Sequence, residues 1–272
     1  FLIGPSPPPH GGIATYCNDI YKSDLKDTYE IVFFDVTIPM KFRPKFNTDS
    51  NIKNIFCRDG LINAVKQLLF VFVNFTRFSR LILKNDFKII HIISCTGNGF
   101  WRNGIFILLA KLKSIKSIFH VVGEIDVFWS TSGFFKKKLI KFFLDISDKI
   151  IVQSEGIRSK VKLMTKTHIV SIINGVDTNI YNPTNKLSKD NVNELCLVTV
   201  GVLGNRKGYN DLIDLASILV ESNISDIKFR FIGGGEVSLY KSIIKEKNLE
   251  GIIKIFDNIS NEEKISLLKS SD

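Results

Sequence analysis

Residues 195–221 read LCLVTVGVLGNRKGYNDLIDLASILVE. Leu195–Val200 is a short, continuous apolar run of the kind that fills a buried parallel strand. Tyr209–Glu221 follows a helical pattern, and the glycine-punctuated Gly201–Gly208 joins the two. Strand, loop and helix in this order are the unit from which α/β folds are built. In open parallel sheets, ligands bind outside the carboxyl ends of the strands. The loop is therefore a candidate site. Arg206 and Lys207 stand beside a helix N-terminus, where cations are electrostatically misplaced. An anion lying between them would account for the placement, and so would two solvated surface charges.

The same alternation runs outward through the chain. Strands are expected at Phe1–Ile3, Glu30–Phe34, Ile89–Ile93, Ser117–Val122, Lys149–Val152 and Ile169–Ile173, then at Leu195–Val200, Lys228–Ile232 and Ile253–Ile255. Helical patterns fall between them, near Ile13–Lys22, Leu61–Leu83, Arg102–Lys113, Phe134–Leu144, Gly156–Met164, Tyr209–Glu221, Leu239–Lys247 and Glu262–Ser270. Asp177 to Asn193 is rich in Asn, Asp, Lys, Pro and Ser and separates the two series. The expected organisation is an N-terminal domain over 1–177, a linker over 178–193 and a C-terminal domain over 194–272.

The 272 residues carry a formal charge of +10, with 44% hydrophobic residues. That composition belongs to a folded globular protein and excludes a disordered tail or a disulfide miniprotein. The basic excess favours an anionic partner, whether nucleic acid, acidic membrane or phosphorylated small molecule. The four cysteines form no C-x-x-C pair, and a reducing compartment is the simpler expectation. The chain starts at Phe1 inside an apparent strand, so a fragment is expected. Leu61–Leu83 is interrupted by Lys66, Gln67, Asn74, Arg77 and Arg80 and falls short of a spanning helix. With Gly133–Phe143, it reads as a helix resting on an anionic membrane surface or as a core helix with a solvated basic face.

Three more strand-end loops stand out. Gly4-Pro-Ser-Pro-Pro-Pro-His-Gly-Gly-Ile-Ala-Thr-Tyr16 leads through Gly11 and Gly12 into a helix, whose free N–H groups suit a phosphate. Phe231-Ile-Gly-Gly-Gly-Glu236 repeats the arrangement around Gly234, although a tight turn explains it equally well. Ser117–Trp129 places His120, Glu124 and Asp126 near a strand end. A lone histidine on an apolar strand is more often a core residue than a catalyst.

In order and spacing, these pieces resemble the GT-B glycosyltransferases of the large retaining family called glycosyltransferase family 4. PPPHGGIATY (7–16) resembles the family's Gly-Gly donor loop and IIHIIS (89–94) its "vHvH" strand. IIVQSEGIRSKV (150–161) resembles its "vvaqSe" strand and helix, and INGVDTNIYNP (173–183) the "pNGvd" segment that leads into its linker. VGVLGNRKGYNDLIDLASIL (200–219) and FIGGGE (231–236) resemble its C-terminal donor elements. Two departures stand out. His120 matches the first histidine of "HlHGGeFd", while Val122 occupies the place of the second, which usually has the active-site role. The E-x7-E motif is absent, and C-terminal truncation is the expected reason.

The resemblance implies an α/β fold of GT-B type, with two Rossmann-like parallel-sheet domains facing across a cleft, the second incomplete. It implies transfer of a sugar from a nucleotide-sugar donor to a saccharide or lipid-linked acceptor with retention, in surface polysaccharide or glycolipid synthesis. His120 and Asp126 would be catalytic. Gly11, Gly12, Arg206, Lys207 and Gly234 would bind donor, the two pairs meeting across the cleft. No metal, no cofactor and no nucleic-acid partner are expected. Peripheral contact with an anionic membrane, at its cytoplasmic face, would suit a membrane-attached acceptor. A nicotinamide-dependent oxidoreductase or a non-catalytic nucleotide-binding Rossmann protein is the rival reading. The dehydrogenase form would need G-x-G-x-x-G, which the first loop lacks. A serine hydrolase lacks its G-x-S-x-G.

Overall fold

Ile90, Ile92 and Ile93 have almost no exposure to solvent. A strand apolar on both faces is stable only between two layers, so helices cover both sides of its sheet. The structure, a computed structural model, describes residues 1–7, 11–37, 58–182, 194–224 and 226–272. It divides into two compact units, Phe1–Asn174 and Gly175–Asp272. Of the expected linker, 183–193 lies outside the described residues.

In the first unit, six parallel strands stand in the order β2-β1-β3-β4-β5-β6. They are β1 (Leu2–Gly4), β2 (Phe33–Asp35), β3 (Ile89–Ser94), β4 (Lys116–Val121), β5 (Lys149–Val152) and β6 (Ile169–Ser171). The helices are α1 (Gly12–Lys22), α2 (Leu25–Thr28), α3 (Arg58–Lys84), α4 (Asn98–Leu112), α5 (Ile125–Ser130), α6 (Phe134–Asp145) and α7 (Glu155–Lys162). α4 packs on both α3 and α6. These three share one large core that includes Phe78, Phe100, Phe106, Ile140 and Phe143. α1 supplies a smaller core of Leu2, Cys17, Ile93 and Val122. Strand order reverses at β1, which pairs β2 on one side and β3 on the other. The carboxyl ends of β1 and β3 therefore flank a topological switch point, where open α/β sheets bind ligands.

The second unit has three parallel strands in the order β7-β8-β9. It runs β7 (Leu195–Val200), a 3₁₀ turn (Asn205–Lys207), α8 (Tyr209–Glu221), β8 (Ile227–Ile232), α9 (Val237–Glu246), β9 (Ile253–Phe256) and α10 (Asn261–Lys269). Tyr209, Ile213, Phe229, Phe231, Tyr240 and Ile244 fill its core under α8 and α9. Arg230 alternates away from them. Its guanidinium donates to the Leu267 and Ser270 carbonyls, satisfying the otherwise open C-terminus of α10. At the other end of α10, the Ser260 hydroxyl accepts the Glu263 N–H at 3.0 Å, a side-chain cap.

Several element boundaries differ from those expected, and two of the differences have a clear physical reason. β2 covers Phe33–Asp35 rather than Glu30–Phe34, because β1 offers it partners only from Leu2↔Phe33 to Gly4↔Asp35. The Glu124–Ser130 stretch, expected as loop, coils into α5 and packs on α7. Its apolar Ile125 is wholly buried, which a loop would not have achieved.

Candidate functional site

In the second unit, the loops that leave β7 and β8 run side by side. Gly201 N–H donates to the Ile232 carbonyl at 2.9 Å, Leu203 N–H to Gly234 at 2.8 Å and Glu236 N–H to Leu203 at 3.2 Å. The approach is so close that a Cβ on Gly233 would lie 1.9 Å from the Gly201 carbonyl oxygen. One on Gly235 would lie 2.6 Å from the Leu203 oxygen. Both glycines also have positive φ. Gly234 differs. It is exposed, and a Cβ there would meet nothing within 4 Å. Its neighbours are glycines because the two loops touch, while its own missing side chain faces open space.

Lys207 closes the 3₁₀ turn, and Gly208 in the left-handed region (φ 73°) turns the chain into α8. The Lys207 stem lies over the end of β7, with Cε 3.7 Å from where a Gly201 Cβ would stand. The Tyr209 hydroxyl donates to the Gly201 carbonyl at 3.1 Å and fixes the same corner. Lys207 is exposed and makes no ion pair among the described residues. Lys207, Gly201 and the 233–235 turn thus form one corner at the carboxyl edge of this sheet. The Arg206 side chain lies outside the described residues.

In the first unit, β1 ends at Gly4, where a Cβ would lie 2.4 Å from the Cys17 sulfur. Glycine there lets α1 sit directly on the strand end. Burial and the nearby Asp35 carboxylate push the Cys17 thiol up to about 12. Asp35 holds the start of the following loop. It accepts the Ser6 hydroxyl at 2.6 Å, the Ser6 N–H at 3.1 Å and the Thr37 N–H at 2.8 Å. Burial alone would raise the Asp35 carboxyl, but these hydrogen bonds outweigh it and leave it below the usual carboxylate range. Residues 8–10 lie outside the described residues. Gly11 is extended (φ −166°) and precedes α1 without a side-chain cap. A Cβ on Gly11 or Gly12 would meet nothing within 4 Å. Among the described residues, neither packing nor backbone conformation requires glycine at these positions.

His120 lies inside the protein, with 0% of its surface exposed. The register Ile93↔His120 and His91↔Ile118 turns His91 and His120 to the same face of the sheet. Their rings stack at 15°, with His91 Nε2 3.3 Å from His120 Nδ1. The Tyr16 ring of α1 packs edge-on against His120 at 5.4 Å. His120 Nε2 is buried with no hydrogen-bond partner. Asp126, in the first turn of α5, meets Lys160 of α7 at 2.5 Å. The Lys160 ammonium holds its carboxyl below the usual range. His120 is thus grouped with His91 and Tyr16, and Asp126 with Lys160. His91, Tyr16 and Lys160 lie within stretches quoted above, but only strand register and helix packing pair them with His120 and Asp126. Among the described residues no group of three or more His, Cys, Asp or Glu side chains could hold a metal ion.

Burial pushes His120 down to about 4, and burial plus the His120 charge pushes His91 lower still. Both rings are therefore neutral in the folded protein near pH 7. Their contribution to stability is complete above the unfolded value of about 6.5. It is lost as pH falls from there through about 4. Urea unfolding of the first unit should show falling stability across that window. A flat profile there would contradict a neutral buried pair.

Residues 184–272 match the family model described as Glycosyl transferases group 1. The matched stretch lies within the second unit. Solved structures resemble the chain over a longer span. An E. coli trehalose-6-phosphate protein bound with UDP-2-fluoro glucose is 11% identical with a TM-score of 0.64, covering 100% of this chain and 76% of that one. Anabaena HepE, in complex with UDP and glucose, is 13% identical with a TM-score of 0.55, covering 76% of this chain and 55% of that one. TarM is 19% identical with a TM-score of 0.54, covering 73% of this chain and 38% of that one. The chain thus spans 38% and 55% of the lengths of TarM and HepE. At these identities the likeness shows the fold, an α/β architecture of parallel sheets matching GT-B glycosyltransferase structures. A comparison with the curated proteins finds no match.

Proposed function

We propose that the protein takes part in transfer of a sugar, with retention, from a nucleotide-sugar donor to a saccharide or lipid-linked acceptor, as in family 4 enzymes that build surface polysaccharide. The observation that carries this reading is the corner of Lys207, Gly201 and Gly234 within the matched domain. It combines a cation that has no ion pair among the described residues with a glycine that leaves room for a ligand. HepE and the E. coli protein are described with UDP or a UDP-sugar bound, which supports a nucleoside diphosphate in such a fold.

The hard step of the reaction is departure of the diphosphate. As the bond from sugar carbon to phosphate oxygen breaks, negative charge grows on the leaving oxygens. Preorganised cations and N–H groups aimed at that charge lower the barrier most. Lys207 supplies the cation in this reading, with Arg206 beside it in sequence. Gly234 supplies close backbone approach beside it, and in the first unit the uncapped start of α1 at Gly11 and Gly12 has free N–H groups suited to an anion. Asp126 acts on the acceptor side, and His120 acts from behind Tyr16 as part of a rigid wall.

The glycines allow a clean test. Alanine at Gly234, or at Gly11 or Gly12, meets no atom, so stability should change by less than about 0.5 kcal/mol. If the open space is where donor lies, each methyl should weaken UDP binding at least about tenfold by calorimetry. Wild-type protein that binds no nucleoside diphosphate would overturn the reading.

A further inference from the structure

α6 presents an unusual surface. Phe134 is 66% exposed and Phe135 84% exposed, and Leu139 and Phe142 are also exposed. Ile140, Phe143 and Leu144 already fill the core side of the helix, so the outer phenylalanines are additional to its packing. Lys136, Lys138 and Lys141 are exposed among them, and the Lys138 ammonium sits 4.4 Å from the Phe134 ring centroid. The only acid of α6, Asp145, is engaged by Lys141 and Thr165.

The neighbouring surface continues the pattern. α4 joins α3 and α6 on one face of the sheet and contains no acid. α3 exposes Leu69 and Phe72, with Arg77, Arg80 and Lys84 following on the same helix. Bulky apolar groups interleaved with bases match a surface that is apolar inside and anionic at its rim. That describes the headgroup and acyl boundary of an acidic bilayer. A nucleic-acid duplex would take up the charge but leave the phenylalanines facing water, whereas a single strand stacks its bases on such rings and is set against the bilayer in the test below. No helix among the described residues is long and apolar enough to cross a membrane, so contact is with the surface.

We propose that the α6 face, continued by α3, docks the protein on an anionic lipid bilayer, with Phe134 and Phe135 entering the headgroup layer. Topology places this contact usefully. The α5–α6 segment follows the carboxyl end of β4, so the N-terminal end of α6 lies near the edge that carries the candidate site loops. The docking deepens the reading above, because the acceptor it favours is one presented at the membrane. Lipid binding is measured without sugar transfer, however, so either claim can fail alone.

The test is co-sedimentation of the whole chain with vesicles of phosphatidylglycerol and phosphatidylethanolamine, against vesicles of phosphatidylcholine. The expected result is salt-sensitive association with the anionic vesicles and little with the neutral ones. K136A with K138A should weaken association about tenfold or more, given the contribution of each base near an acidic surface. F134S with F135S should weaken it comparably, and circular dichroism should show both pairs folded. K241A with K245A on α9 removes the same charge from the other unit and should leave association unchanged. Equal binding to phosphatidylcholine, an equal loss in the α9 control, or unaltered binding by both α6 pairs would overturn the proposal. So would tighter binding to a single-stranded oligonucleotide than to anionic vesicles.

Discussion

If the protein transfers sugar as proposed, alanine at Lys207 should lower turnover about a hundredfold while leaving the melting temperature unchanged. The magnitude is that of losing one group which stabilises charge developing in a transition state. The effect should fall on kcat more than on KM, because the leaving diphosphate gains charge as the bond breaks and the cation is worth most at that point. Stability should hold because the ammonium forms no ion pair among the described residues and the side chain is exposed. K207R should restore part of the rate, since the guanidinium keeps the charge but differs in reach and geometry. Steady-state kinetics with the protein and a nucleotide-sugar donor would decide. Wild-type turnover in K207A would make Lys207 one more solvated surface charge.

Alanine at Gly233 should have the opposite signature, with large damage to stability. Its methyl would be driven to 1.9 Å from the Gly201 carbonyl oxygen, at a φ of 146° that side chains rarely adopt. The obstacle is backbone, so no rotamer change relieves it. Either the β7 and β8 loops separate, breaking the Gly201–Ile232 and Leu203–Gly234 hydrogen bonds, or the residue keeps its strain. Strained backbone costs about 1–3 kcal/mol before the clash is counted, so a loss of at least about 3 kcal/mol is expected. Urea unfolding of the second unit would measure it. G234A, one residue away, is the control and should unfold like the wild type. Equal stability of G233A and G234A would show that the loops are not locked as described.

These two variants mark where reading by eye along the chain stops. FIGGGE announces a turn after a strand, and its three glycines look alike in sequence. They differ because the β7 loop, some thirty positions earlier by number, lies against the side-chain positions of two of them and meets the third only through its carbonyl. His120 makes the same point. Its position near a strand end suggested chemistry, and Val122 in the next outward position suggested an altered site. Its burial against His91 and Tyr16 follows from how β3 aligns with β4 and where α1 settles.

By itself the sequence determined the alternation of apolar strands with helices, and hence two parallel sheets. That information is local: burial on both faces demands a continuous apolar run, and a helix demands its own periodicity. It also marked the strand-end loops, because glycine and cations beside a helix start are conspicuous wherever they occur. Tertiary structure decided the rest. It set the strand order that reverses at β1, the contact between the β7 and β8 loops, and the pairing of Asp126 with Lys160. It also decided that the phenylalanines of α6 divide between core and surface. Each of these depends on which distant segments meet and in what register, and a shift of one residue in a strand turns every side chain to the opposite face.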